Sequence, residues 1–361
     1  MWSLERGRCA LVSMAVLAAG VTALTSACGT TGVAAPRASA KPDAKPDAKP
    51  HSATGTPVTG STTSSGACEA GRVVINGVQL AQALATATPG AAITLAPGTY
   101  RGPFEASTPG TSSSPITLCG SRDAVIDGGT TDSGYALYLN GASWWNLSGF
   151  SVQGGQKGLV LDRSSHVVIS SLYVHDVGDE AVHLRSFSTY DTVEGVVVRS
   201  TGHHNTFFGE GIYVGSAHKN WCRYSNCAPD ASDYNVIKNN DISETTAENI
   251  DIKEGTSGGT ITGNQLSGVG MVESAATSWI NVKGNGWTVS QNTGTQSLRD
   301  GFSVHVVYPG WGQNNVFHAN TANVEASGYG FYIQDTAVGT VVGCDNTAVG
   351  AAAGLSSGGC S

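Results

Sequence analysis

Charge is the scarcest feature of this sequence. Only 13% of its 361 residues are Asp, Glu, Lys or Arg, about half the share in an ordinary soluble domain. Of 19 Lys and Arg and 27 Asp and Glu, six and three precede residue 68, so the remainder carries 13 and 24 and a net charge of −11. So acidic a surface excludes a nucleic-acid partner, whose phosphates need cations. No internal run is long and apolar enough to span a bilayer. The 48 glycines follow no three-residue period, which excludes collagen. There is no CxxC pair to suggest structural zinc. P-loop and HExxH motifs are absent. Hydrophobic residues nevertheless reach 40%, enough for a sizeable core.

The N-terminus reads as an export signal. Arg6 and Arg8 precede an apolar stretch from Ala10 to Leu24 and then Thr25-Ser26-Ala27-Cys28, the order of a basic, an apolar and a small-residue region. The end of this stretch resembles a bacterial lipobox, although Thr25 stands where Leu is usual. Residues 1–27 are then a lipoprotein-type signal peptide, and Cys28 is lipidated at the outer face of a bacterial cell membrane. The anchor is the only membrane contact expected; the alternative is plain secretion. Residues 28–67 are rich in Pro, Ala, Ser and Thr and form a disordered tether. The folded domain is 68–361, expected as a monomer. Its six cysteines, Cys68, Cys119, Cys222, Cys227, Cys344 and Cys360, suit three disulfides in an exported chain. Neighbour pairing is the simplest of about 15 possibilities.

From residue 90 the chain repeats. Segments such as Lys157-Gly158-Leu159-Val160-Leu161-Asp162, Glu180-Ala181-Val182-His183-Leu184-Arg185 and Glu248-Asn249-Ile250-Asp251-Ile252-Lys253 align, with apolar third and fifth positions. That is the period of a strand with one buried face. A second pattern, apolar-x-x-Asn, recurs at Asn240, Asn264, Asn292 and Asn320, in steps of 24, 28 and 28 residues, with Asn346 following 26 later. Asn tolerates the left-handed backbone of a sharp turn, and stacked Asn side chains can hydrogen-bond to one another. Strand-containing repeats of this length imply a solenoid, and the Leu consensus of leucine-rich repeats is missing. The fold class is all-β: a right-handed parallel β-helix of about ten rungs.

The segment from Asn76 to Leu84, followed by Thr88-Pro89-Gly90 and by Ile93-Thr94-Leu95-Ala96-Pro97-Gly98-Thr99-Tyr100, resembles the start of pectate-lyase-like β-helix proteins. The resemblance implies a short N-terminal helix capping the core, with Val78, Leu80, Ala81 and Leu84 as its apolar stripe. It covers residues 68–361. It leaves the reaction open, because lyases, hydrolases, epimerases and adhesins share the fold.

Parallel strands stack about 4.8 Å apart and alternate residues lie about 6.6 Å apart, so the aligned strands map a surface. One column holds Glu180, Glu210 and Glu248; the next holds His183, Tyr213, Asp251 and Asn281; the last holds Arg185, Lys253, Lys283 and His305. In-register carboxylates repel, and protonation, a basic neighbour or bound Ca²⁺ would each compensate them; Glu210, Glu248 and Asp251, with Glu180 in support, are the Ca²⁺ candidates. β-Elimination from a uronate-containing polysaccharide needs a base, a cation for the substrate carboxylate and a proton donor. Lys253 is the base candidate, its pKa lowered by neighbouring cations. Arg185 or Lys283 would clamp the uronate, and His183 or Tyr213 would protonate the leaving oxygen. Asn281, His305, Tyr308 and Trp311 are candidate sugar contacts, aromatics offering a flat apolar face. Two alternatives stand beside this one. Glu210 and Asp251 could serve an inverting glycoside hydrolase if about 6.5–9.5 Å apart. The face could also belong to a non-catalytic glycan-binding or adhesin-like module.

Overall fold

The computed structural model describes Cys68 and residues 71–361; the signal peptide, Cys28 and the tether lie outside the described residues. Three parallel sheets of 11, 10 and 10 strands run the length of the domain, and each coil adds one strand to each sheet. The result is a right-handed parallel β-helix of about ten turns. The register expected from the period-two pattern is the one found. Tyr138, Val160, His183, Tyr213, Asp251, Asn281, Ser303 and Tyr332 pair in sequence across one sheet. The alternate residues face inward: Leu159 and Leu161, Val182 and Leu184, Ile250 and Ile252, and Ile280 and Val282 are all fully buried. Branched side chains stacked on themselves make a continuous apolar column that no single coil could bury alone. Rings take over near the C-terminus, where Phe302 and Phe331 stack with centroids 4.9 Å apart.

The helix Gly77–Ala85 caps the N-terminal end, with Asn76 accepting a hydrogen bond from the Gln79 amide at 3.0 Å. Its buried stripe differs from the expected one. Leu80, Ala83 and Leu84 are buried, whereas Val78 is 82% exposed and Ala81 is also outside. Spacings of three and four residues keep side chains on one helical face, and Val78 lies off that face. The three disulfides join Cys68 to Cys119, Cys222 to Cys227 and Cys344 to Cys360, the neighbour pairing.

The repeated Asn residues form a ladder. Each of Asn240, Asn264, Asn292 and Asn320 donates both its backbone N–H and its side-chain amide to the Oδ1 of the Asn one coil on, ending at Asn346. A second amide hydrogen reaches a backbone carbonyl, as from Asn264 to Ile237 O. The left-handed backbone falls one residue earlier than the Asn pattern suggests, at Asn239, Gly263, Gln291 and Ala319. The turn residue swings the chain so that the next side chain points inward. The ladder Asn is buried, and its polar atoms need these partners.

Asp191 occupies a similar internal corner with the wrong chemistry. Its Oδ1 accepts from the Val167 amide and its own amide donates to Asn235 Oδ1, but its Oδ2 is buried without a partner. Burial raises its pKa well above the usual carboxyl range, more than the Val167 hydrogen bond lowers it. A raised folded-state pKa means that stability is complete below the unfolded value and falls as pH rises through it. Asp191→Asn, which supplies an amide at the orphaned position, should therefore stabilise the domain by about 1–3 kcal/mol at pH 7. The gain should shrink in acid. Thermal melts of both proteins at neutral and acid pH check this, and a pH-independent difference contradicts it.

Candidate active site

Five adjacent strands of one sheet, from Lys157–Asp162 to Ile280–Val282, make the floor of a cleft of about 600 Å³. The map expected an exposed polar face, but the face is roofed. Asp251 is 1% exposed, Arg185 2%, Glu210 4%, His183 5% and Tyr213 9%. The cause is unequal coil length. The column advances by 22 or 23 residues from Tyr138 to Val160 to His183, but by 30 to Tyr213, 38 to Asp251 and 30 to Asn281. The extra residues form walls. One rises before the strands and brings His204, Phe207 and Phe208 to the cleft; the other follows the strand Ile212–Val214 and brings Lys219, Arg223 and Tyr224. None of these wall residues is marked by the repeat. Excess coil length is the signal that points to them.

Asp251 is the centre of the floor. Its Oδ2 lies 2.6 Å from Lys253 Nζ and its Oδ1 2.5 Å from Lys283 Nζ. Burial opposes its ionisation, but the two ammonium groups outweigh burial and hold its pKa below the usual range. Glu210, Glu248 and Asp251 gather as expected, with ligand oxygens all within 4.8 Å of one another. Glu248 accepts a hydrogen bond from Asn281 at 2.9 Å. Burial first, then the Asp251 charge, raises its pKa. Glu210 Oε2 has no partner. Burial and repulsion from Glu180, Asp251 and Glu248 raise the Glu210 pKa well above the ordinary value. Glu180 is not part of this cluster; it pairs with Lys157 and lies 3.5 Å from His183 Nδ1.

Lys253 departs from its expected state. Neighbouring cations do not depress its pKa. Burial opposes the ammonium, but Asp251, Tyr213, Glu210 and Glu248 outweigh burial and raise its pKa well above the lysine range. The column map set Lys253 one exposed position from Asp251 but weighed its pKa against Arg185 and Lys283 alone. The ammonium lies 4.8 Å from the centroid of the Tyr213 ring. Tyr213 is packed on its other side against His183, centroids 4.4 Å apart, and burial raises its pKa well above normal. His183 donates from Nε2 to Gly215 O at 3.0 Å and is held neutral chiefly by burial.

Arg185 is not free to clamp a substrate. Its Nε and one terminal nitrogen donate to Asp162 at 2.7 and 3.2 Å, that nitrogen also donates to Tyr135 Oη, and its guanidinium lies 4.2 Å from the Tyr224 ring. Tyr308 and Trp311 do not line the cleft; Tyr308 instead packs against His218 and Trp221. His305 and Asn281 sit beyond the cleft lining, joined to each other at 2.9 Å. Burial and Lys283 lower the His305 pKa to about 4. The close approach of Glu210 and Asp251 misses the separation that inversion needs.

The Arg185–Asp162 pair carries a stability prediction. Arg185→Ala leaves a buried carboxylate uncompensated and should cost about 3–5 kcal/mol. Adding Asp162→Asn should recover most of it. Denaturant melts of the three variants check this; a single-variant loss under about 1 kcal/mol, the scale of a surface pair, contradicts a structural role.

No family model matches this chain, and no curated protein sequence does. Solved structures do. An alginate lyase from Paenibacillus sp. str. FPU-7 is 34% identical, with 79% of this chain and 98% of that chain covered and a TM-score of 0.73. A pectate lyase (16% identity, 74% and 72% covered, TM-score 0.50) and a rhamnogalacturonan lyase (12%, 80% and 87%, 0.54) share the fold. With 34% identity over 79% of this chain and 98% of the Paenibacillus alginate lyase, and a walled cleft on its own parallel solenoid, the chain belongs to the parallel β-helix polysaccharide lyases.

Proposed function

We propose that the cleft cleaves a uronate-containing polysaccharide by β-elimination, with Lys253 as base and Tyr213 as proton donor. Alginate is the first substrate to test, since the Paenibacillus relative is an alginate lyase. The observation that carries the reading is the contact of Lys253 with the Tyr213 ring on a floor shared with Lys283. Lys283, which shares Asp251 with Lys253, is the floor cation assigned to the substrate carboxylate, since Arg185 is held to Asp162 through two nitrogens. Neutralising that carboxylate acidifies the neighbouring C5–H bond. Lys253 Nζ takes this proton, the electron pair forms the C4–C5 double bond, and the C4–O4 bond breaks. Tyr213, which its raised pKa keeps protonated, gives its phenolic proton to O4. The Lys253 ammonium beside it then returns a proton to the phenolate, so the cycle closes without water.

Calcium does not fit this floor. Three carboxylates offer the hard oxygen donors that Ca²⁺ prefers, but both oxygens of Asp251 already face ammonium groups and Glu248 is engaged by Asn281. Two lysines on Asp251, and the raised pKa of Glu210, ease the repulsion among the three carboxylates without a metal. A chelator should therefore leave turnover unchanged, and a loss that added Ca²⁺ restores would contradict this. The three disulfides support an exported enzyme, with Cys28 its expected lipid attachment point.

Two measurements test the base. Lys253→Ala should lower kcat by about 10²–10⁴-fold, with the fold retained. Because its neighbours raise the Lys253 pKa, the basic form grows as pH rises, and kcat/KM should climb into the alkaline range. A profile that falls through that range would mean that the ammonium, and not the amine, is the working form.

A further inference from the structure

We infer that Lys219 and Arg223 form a carboxylate-binding wall that engages uronate residues flanking the cleavage point. This rests on the uronate reading of the cleft and extends it to residues beyond the catalytic floor.

Cations are scarce in this domain, yet six of the 13 Lys and Arg after residue 68 line the one cleft. Four of the six already have carboxylates: Lys157 has Glu180, Arg185 has Asp162, and Lys253 and Lys283 share Asp251. Lys219 and Arg223 form no ion pair among the described residues. Both are exposed, so their charge meets whatever enters the cleft. They stand on the longest excursion of the solenoid, the 38-residue coil between Tyr213 and Asp251, which the apolar core does not require.

That excursion is held firmly. Trp221 is buried and donates from Nε1 to Ser216 O at 2.9 Å. Asp230, fully buried, accepts from the Ser186 and Phe187 amides and from the Ser216 hydroxyl at 2.7–2.9 Å. His218 donates its backbone amide to Glu254 Oε1 at 2.6 Å, with its Nδ1 2.8 Å from the same oxygen, and Tyr308 packs on its ring. Cys222 and Cys227 close the turn between. An unpaired charge on a pinned segment is preorganised, so little ordering entropy opposes binding. Arg223 lies 5.0 Å over the Tyr224 ring, a contact that leaves its N–H donors without a carboxylate partner among the described residues. The other wall segment, before the strand Ile212–Val214, offers Phe207 and Phe208, flat apolar faces suited to the sugar ring. The cleft lining thus combines apolar rings with unpaired cations, two features that match a polyuronate.

The test uses full-length protein. Wild type and the double variant Lys219→Gln/Arg223→Gln are compared by retardation in native gels containing alginate, polygalacturonate or a neutral glucan, and by kinetics at low and high salt. Arg101→Gln, an exposed cation outside the cleft, controls for net charge. Wild type should be retarded by a uronate polymer and not by the glucan. The double variant should lose that retardation and show a KM raised roughly tenfold or more, with a weaker salt dependence than wild type. Unchanged retardation and KM in the double variant overturn the inference, as does equal retardation by the neutral glucan. Because retardation needs no turnover, Lys219- and Arg223-dependent binding in a protein without activity would keep this inference and reject the lyase assignment.

Discussion

Parallel in-register stacking governs this molecule. Every position on a strand has its counterparts one coil before and one coil after, about 4.8 Å away. The sequence must therefore place next to each residue something it can tolerate. Apolar residues meet the condition by packing on their own kind, and Asn by donating to the next Asn. Carboxylates cannot meet it alone. Glu180, Glu210 and Glu248 follow one another at the strand starts, and each escapes repulsion differently. Lys157 compensates Glu180, burial and acidic neighbours push the Glu210 pKa up and so oppose its ionisation, and Asn281 holds Glu248 beside the doubly paired Asp251. The active floor is the local solution to a problem that the fold creates.

What repeats was legible in the sequence, and what interrupts the repeat was not. The alternation through Leu159–Leu161 and Ile250–Ile252 gave strand identity, register and the column shared by His183, Tyr213, Asp251 and Asn281. The Asn spacing gave the ladder. Two local readings differ from the structure. The left-handed turn sits at Gly263 and Gln291 and not at the Asn that follows each, and the helix buries Ala83 where Val78 was expected. Both depend on where a side chain points, which pattern alone leaves open.

The larger departures at the site share one cause. A column map ranks neighbours by coil and ignores the bend of a long side chain. Lys253 was read against Arg185 and Lys283, although Asp251 two residues earlier on its own strand reaches it first. Arg185 was read as facing solvent because the excursion carrying Tyr224 has no repeat signature. Tyr308 carried the aromatic signal of a sugar contact, but it supports His218 and Trp221 from outside the cleft. The walls thus decide which floor residues meet a substrate, and they are built from the aperiodic part of the chain.

The central claim is that this charged floor eliminates and does not hydrolyse. The most direct measurement is the mass of the oligosaccharides released from a uronate polymer, with the digestion run in heavy-oxygen water. Elimination predicts that the fragment carrying the new non-reducing end is lighter by one water than its saturated counterpart. It also predicts that no solvent oxygen enters either fragment at the cut. Saturated fragments that carry one solvent oxygen at each cleaved bond would contradict the account.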